Sequence, residues 1–187
     1  MAHIDVISYE DSEGRLREVY DEIIAKRGKL AEVMKIQSLN PESIVKHMDL
    51  YLEVMYGRSP LVRYRREMLA VVVSATNKCE YCTIHHAVAL NHFWKDQKKI
   101  DDLVSDYSTL DLSDMDRTLC QYAKELTLNP AGMNSEKHVE NLRAVGLDDR
   151  AIMDAALIIA YFNFTNRTIL GLGVGVGLKE TEGYKYD

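Results

Sequence analysis

The chain has 187 residues, 47% of them apolar, and carries 29 acidic against 23 basic side chains for a formal net charge of −6. That length suits one domain with a continuous core, and an acidic excess without a basic stripe argues against a nucleic-acid binder. The N-terminal MAHIDVISYEDSEG lacks the pattern of a signal peptide, no apolar run reaches the roughly 18 residues of a membrane span, and three cysteines make no secreted disulfide framework. A reducing, cytoplasmic setting is expected.

In chain order, residues 1–12 read as an irregular arm. Leu16, Val19, Tyr20, Ile23 and Ile24 recur at helical spacing up to a stop at Gly28. AEVMKIQSL is short and reads as a loop packing Val33, Met34 and Ile36 onto the body. Asn40-Pro41 is a helix start, and the stripe Ile44, Val45, Met48, Leu52, Met55 runs to Gly57. Ser59-Pro60 repeats the start signal for a helix that carries Glu67 into the apolar run Met68–Val73. Thr76-Asn77-Lys78 turns the chain, so Cys79 falls near the beginning of the next helix, which reaches Trp94.

Residues 100–111 are charged without a clear period and read as a connection. Ser113 with Asp116 resembles a capping box for a helix burying Leu119, Ala123 and Leu126. Asn134 caps a short helix that stops at Gly146, and Asp148 caps a long apolar one through Phe162. The glycine-rich tail, about 171–187, reads as a helix end followed by close backbone packing or an arm against another subunit. The expected fold is all-α, with six to eight helices in a single domain spanning 1–187. A faint echo, MLAVVVSATNK and MDAALIIAYFNFTNR, ends each of two apolar helices in a polar Thr-Asn pair.

Chemistry concentrates between Glu67 and His86, in EMLAVVVSATNKCEYCTIHH. A Cys-x-x-Cys pair closes a small disulfide loop without unfolding its surroundings, and its first thiol reacts only as thiolate. His86 stands four residues after Cys82 and shares its helix face, so the dithiol has its own base. The helix dipole favours Cys79 as the attacking thiol and proximity to the base favours Cys82; the motif alone leaves both open. Glu67, at the front of an apolar run, is placed to orient the histidine from a partly buried position. Tyr81 and His85 are candidates for the pocket wall or for hydrogen-bonding support.

Cys79, Cys82 and His86 also supply three zinc-compatible ligands, but no remote motif brings the second ligand pair of a structural site, so no metal is assigned. Cys120, His47, His92 and His138 read as structural. No flavin or nicotinamide fingerprint is present, and no cofactor is assigned.

The pattern Glu, eleven residues, Cys-x-x-Cys-x-x-x-His resembles the signature of the AhpD-like family, which includes alkylhydroperoxidases and carboxymuconolactone decarboxylases. NKCEYCTIHH and GLDDRAIMDAALIIAYFNFTNR are most similar to its peroxidase-related subgroup. The resemblance implies an AhpD-like helical fold assembled as a homotrimer or homohexamer. It implies a thiol peroxidase in which Cys82 is peroxidatic, Cys79 resolving, His86 the proton relay and Glu67 its far end. A hydroperoxide would be the substrate and an external dithiol the reductant, with neither nucleic acid nor membrane as partner. Tyr81 stands where AhpD has a histidine, so AhpD's own partner and peroxide preference do not transfer. Lactone decarboxylation without a sulfur step, or a non-enzymatic redox sensor or scaffold, are the alternative functions.

Overall fold

The computed structural model describes residues 2–175 and 181. Among them the secondary structure is helical throughout: α1 (Gly14–Arg27), α2 (Glu32–Lys35), α3 (Pro41–Tyr56), α4 (Arg63–Thr76), α5 (Glu80–Trp94), α6 (Gln97–Asp106), α7 (Asp114–Leu128), α8 (Glu136–Ala144) and α9 (Asp149–Leu172), with 3₁₀ turns at Tyr107–Thr109 and Pro130–Met133. The all-α expectation holds, with more helices than the six to eight read from the sequence.

Helix α4 is the axis of the molecule. Every residue from Arg66 to Ser74 is buried, because α5, α7 and α9 surround it. A helix that is apolar on all sides has no solvent face to present, so it sits in the middle of the core. α1, α2 and α3 form a smaller cluster around Tyr20, Ile44 and Met48, laid against this body.

Several ends follow their sequence signals. Asn40 accepts from Ser43 N with Pro41 at the first helical position, Ser113 accepts from Asp116 N, and Asp148 accepts from Ala151 N. Others differ. α4 begins at Arg63, three residues after Ser59-Pro60, with no side-chain cap. Ser135 rather than Asn134 precedes α8, because Asn134 closes the 3₁₀ turn before it. The charged stretch 100–111, expected as a connection, instead begins inside α6, which Asp96 caps and buried Ile100 and Leu103 anchor. The supposed loop after Gly28 holds α2, one turn long.

α9 extends to Leu172, ten residues past Phe162, and ends on Gly173 in the left-handed region. The N-terminal arm meets it there: His3 N donates to Leu172 O at 2.8 Å. The His3 ring lies so close that a Cβ on residue 173 would fall 2.5 Å from it. The sequence expectation of close backbone packing applies at this point; most of the remaining tail lies outside the described residues.

Candidate active site

The α4–α5 connection sets the register of the site. Lys78 adopts a left-handed conformation (φ 57°), and Cys79 N donates to Ser74 O at 2.9 Å, which turns the chain sharply into α5. Asn77 and Asn166, the asparagines of the two Thr-Asn echoes, meet here. Asn77 Nδ2 donates to Asn166 Oδ1 at 2.9 Å, and Asn166 Nδ2 donates to Ser74 Oγ at 3.2 Å. Buried amides of this kind are costly unless paired, so the network fixes how α9 grips the turn that carries the cysteines.

Cys79 occupies the N-cap of α5 and Cys82 lies within its first turn; both are buried, and neither is in a disulfide. They form a small apolar cluster with Tyr81 and Ile169. The neighbouring Cys82 side chain lowers the Cys79 pKa against the cost of burial. The Cys82 amide adds to that lowering without reaching the geometry of a full capping hydrogen bond. Cys82 is pushed upward, first by the neighbouring Cys79 side chain and then by burial. Cys79 is therefore the more acidic thiol at rest, as an N-terminal helix position favours.

Glu67 sits on α4 with its carboxylate fully buried. One oxygen, Oε2, accepts from His86 Nδ1 at 2.7 Å; the other accepts from Arg63, whose Nε lies 3.0 Å away. Burial alone would raise the Glu67 pKa, but the hydrogen bond from His86, with the Arg63 guanidinium, holds it below the ordinary value. The carboxylate is thus ionised and fixes the histidine tautomer, leaving Nε2 as the basic nitrogen. The His86 ring stands edge-on to Phe162, with centroids 4.5 Å apart.

These groups open on a solvent-connected cavity where α1–α3 cover α5 and α9. Cys82, His86, Tyr81 and His85 all line it; Cys79 does not, and Glu67 stands behind His86. Tyr81 and His85 are wall residues whose rings lie 4.2 Å apart. Tyr81 Oη accepts from Val33 N at 3.3 Å, tying α2 to α5, and His85 Nδ1 lies 2.7 Å from the Tyr81 carbonyl.

Sequence reasoning missed four polar contributors. Arg27 lines the cavity from α1, and Arg63 completes the Glu67 carboxylate. His47, read as structural, is buried beside the cavity with Nε2 2.7 Å from Tyr161 Oη, and Tyr161 itself is part of the wall. Arg63 stands four residues before Glu67, a helix-pair spacing that was available in the sequence; the other three depend on how α1, α3 and α9 pack. Cys120 is buried in the main core and its thiol is pushed upward by burial, as a packing residue's would be. His138 lies 3.6 Å from Glu125, away from the site.

Residues 45–125 match the carboxymuconolactone decarboxylase family. Among solved structures, an uncharacterized peroxidase-related protein from Silicibacter sp. TM1040 is 28% identical, with 97% of this chain and 92% of that chain covered at a TM-score of 0.81. An uncharacterized peroxidase-related protein from Ralstonia eutropha JMP134, described as an alkylhydroperoxidase AhpD core, is 23% identical, with 96% of this chain and 94% of that chain covered and a TM-score of 0.84. A cysteine-to-alanine variant of the debrominase Bmp8, in complex with 2,3,4-tribromopyrrole, is 17% identical, with 96% of each chain covered and a TM-score of 0.77. No curated protein matches the sequence. Residues 45–125 thus resemble the carboxymuconolactone decarboxylase family, and the all-α fold is shared along nearly the whole chain with the Silicibacter and Ralstonia proteins.

Proposed function

We propose that the protein is a thiol-dependent peroxidase that reduces hydroperoxides through a Cys79–Cys82 dithiol/disulfide cycle. The observation that carries this reading is the set Glu67, His86, Cys82 and Cys79: a buried ionised carboxylate, a histidine oriented by it, and two neighbouring buried thiols, one facing a cavity. His86 Nε2 takes the proton of Cys82, directly or through one water. The thiolate attacks the terminal oxygen of the hydroperoxide; the O–O bond breaks, leaving sulfenic acid on Cys82 and releasing an alcohol. The Cys79 sulfur then attacks Cys82, expelling water and forming the disulfide. An external dithiol supplies two electrons and two protons to reset the pair.

Cys79 is the more acidic thiol and Cys82 the one that faces the cavity. We assign the attack to Cys82 because a substrate must reach the sulfur, and because a low-pKa Cys79 is ready to resolve the sulfenic acid once it forms. A peroxide-consumption assay with a dithiol reductant tests the reading. Turnover should be lost in Cys82→Ser, and turnover surviving that change would remove Cys82 from the reaction.

A second reading has its own support: the matched family is named for lactone decarboxylation, and the His86–Glu67 pair can move a proton without sulfur chemistry. An enzyme of that kind would consume a lactone acid equally well after Cys79→Ser and Cys82→Ser. Stoichiometric thiol oxidation without turnover would point to a redox sensor. We further propose a cytoplasmic, single-domain protein acting as a homotrimer or homohexamer, on the grounds that α9 exposes Met153, Leu157 and Phe164 along one face. No helix among the described residues is long and apolar enough to cross a membrane.

A further inference from the structure

We propose that the cavity selects an anionic substrate with an apolar body and that Arg27 receives the anion; this rests on the cavity being the substrate site, and within the peroxidase reading it means a hydroperoxide bearing a carboxylate. The chain has a net charge of −6, yet among the described residues the cavity lining contains Arg27 and Lys29 and no aspartate or glutamate. Among the described residues Arg27 has no carboxylate partner. Its guanidinium carbon lies 5.4 Å and 5.0 Å from the ring centroids of Tyr51 and Tyr56, and Nη2 donates to Tyr56 Oη at 3.2 Å. Its charged neighbour is Arg63, which repels it and is itself committed to Glu67.

Other arginines of this region are satisfied differently: Arg65 pairs with Asp116, and Arg66 donates to three carbonyl oxygens. A half-buried guanidinium offers five donors in a planar fork suited to a carboxylate, and among the described residues one hydrogen bond engages Arg27. Ile23, Met34, Met48 and Phe162 supply apolar wall for the rest of the ligand.

Calorimetric titration of the Cys82→Ser protein with 3-phenylpropanoate and with its methyl ester tests this without any peroxide. The acid should bind about tenfold tighter than the ester or better, as one charge-assisted pair allows. Arg27→Gln should bring the two to near parity, with Arg27→Lys between. Equal binding of acid and ester, no binding of either, or a preference that survives Arg27→Gln overturns the proposal. A protein that passes this test but never turns over a peroxide retains the anion site and loses the peroxidase reading.

An independent observation carries a second inference, also within the peroxidase reading: we infer that the Tyr161 hydroxyl donates the proton to the oxygen that leaves when the peroxide bond breaks. The order of hydrogen bonds around His47 sets where the protons lie. Gln37 Nε2 donates to the Val33 carbonyl at 2.8 Å, so this atom is the amide nitrogen, and it also lies 2.7 Å from His47 Nδ1. His47 Nδ1 therefore accepts, and the proton of this buried, neutral ring is on Nε2. Nε2–H donates to Tyr161 Oη at 2.7 Å, which leaves the tyrosine's own hydrogen for another acceptor. Thr165 Oγ1 stands beside the pair, 3.4 Å from His47 Nε2, and its contact with the Tyr161 hydroxyl lowers the tyrosine pKa against the larger upward push of burial. Tyr161 lines the cavity with Cys82.

As the Cys82 thiolate attacks, the alkoxide departs with the O–O electron pair and takes the Tyr161 proton to become an alcohol. The tyrosinate, held by the His47 N–H, regains through cavity solvent the proton that His86 took from Cys82. The step sums to thiol plus hydroperoxide giving sulfenic acid plus alcohol.

Tyr161→Phe separates this role from packing when two oxidants are compared. tert-Butyl hydroperoxide releases a strongly basic alkoxide, whereas peracetic acid releases acetate, which needs no proton. The variant should lose about 10²-fold in kcat/KM on the first and less than about threefold on the second. Equal losses on both, or no loss on either, overturn the inference. A wild type that reduces neither oxidant overturns the peroxidase reading and this inference together.

Discussion

Glu67 and His86 are nineteen residues apart in sequence and 2.7 Å apart in the fold, with Oε2 accepting from Nδ1. Glu67 comes from the central helix and His86 from the helix that carries the cysteines, so the pair links the core to the dithiol. Arg63 fills the other carboxylate oxygen, which leaves the carboxylate with nothing to do but hold the histidine.

Replacing Glu67 by Gln removes the charge while keeping the shape. His86 loses its orienting partner and Arg63 becomes a buried cation without one. Unfolding in urea should show a loss of about 3–5 kcal/mol, and turnover should fall about 10²-fold or more. The pH dependence has a definite sign. Because the folded pKa lies below the unfolded value, the stabilisation is complete above the ordinary carboxylate range and is lost as pH falls through the folded pKa. The gap between wild type and Glu67→Gln should therefore close toward acid.

His47 titrates in the opposite chemical sense with the same slope. Burial lowers its pKa from 6.5 to about 4, so the unfolded chain binds a proton that the folded one refuses. Stability is complete above pH 6.5 and should fall by about 3 kcal/mol between there and about pH 4. Denaturant midpoints across that interval check it, and His47→Gln should flatten the slope.

The Asn77–Asn166 contact makes a prediction about the turn. Asn166→Ala leaves the buried Ser74 Oγ without the amide that donates to it and Asn77 Nδ2 with Asn163 Oδ1 alone. A loss of about 1–3 kcal/mol in chemical denaturation is expected, together with faster alkylation of the cysteines by a neutral reagent. Unchanged stability would mean that the two helix ends are held by packing alone.

The thiol pair predicts its own titration. Thiolate absorbance in the ultraviolet should show one thiol ionising below the ordinary cysteine value, because the Cys82 side chain beside it lowers the Cys79 pKa. In Cys82→Ala that thiol is absent, and the midpoint of Cys79 should move upward. Cys120, pushed upward by burial in the core, should stay silent in the accessible range.

Much of this was legible in the chain itself. The all-α fold, the caps at Asn40, Ser113 and Asp148, and the placement of Cys79 at a helix start follow from local rules, and the structure agrees. The Glu67–His86 contact was readable as a possibility from an apolar run broken by Thr-Asn-Lys. α6 was not, because its charged residues mask a stripe of two buried side chains, Ile100 and Leu103. Arg27, His47 and Tyr161 were invisible for a different reason. Each lies on a helix whose local pattern is ordinary, and only the packing of α1 and α3 over α5 and α9 brings them to one cavity.

The central claim is that Cys82 is the atom oxidised by substrate, with Cys79 resolving it. Mass spectrometry after limiting hydroperoxide, on the wild type and on Cys79→Ser, tests it most directly. The account predicts a Cys79–Cys82 disulfide in the wild type and, in the variant, one added oxygen on the peptide containing Cys82. An unmodified Cys82 in that variant, with the oxygen instead on Cys79 in a Cys82→Ser protein, would contradict it.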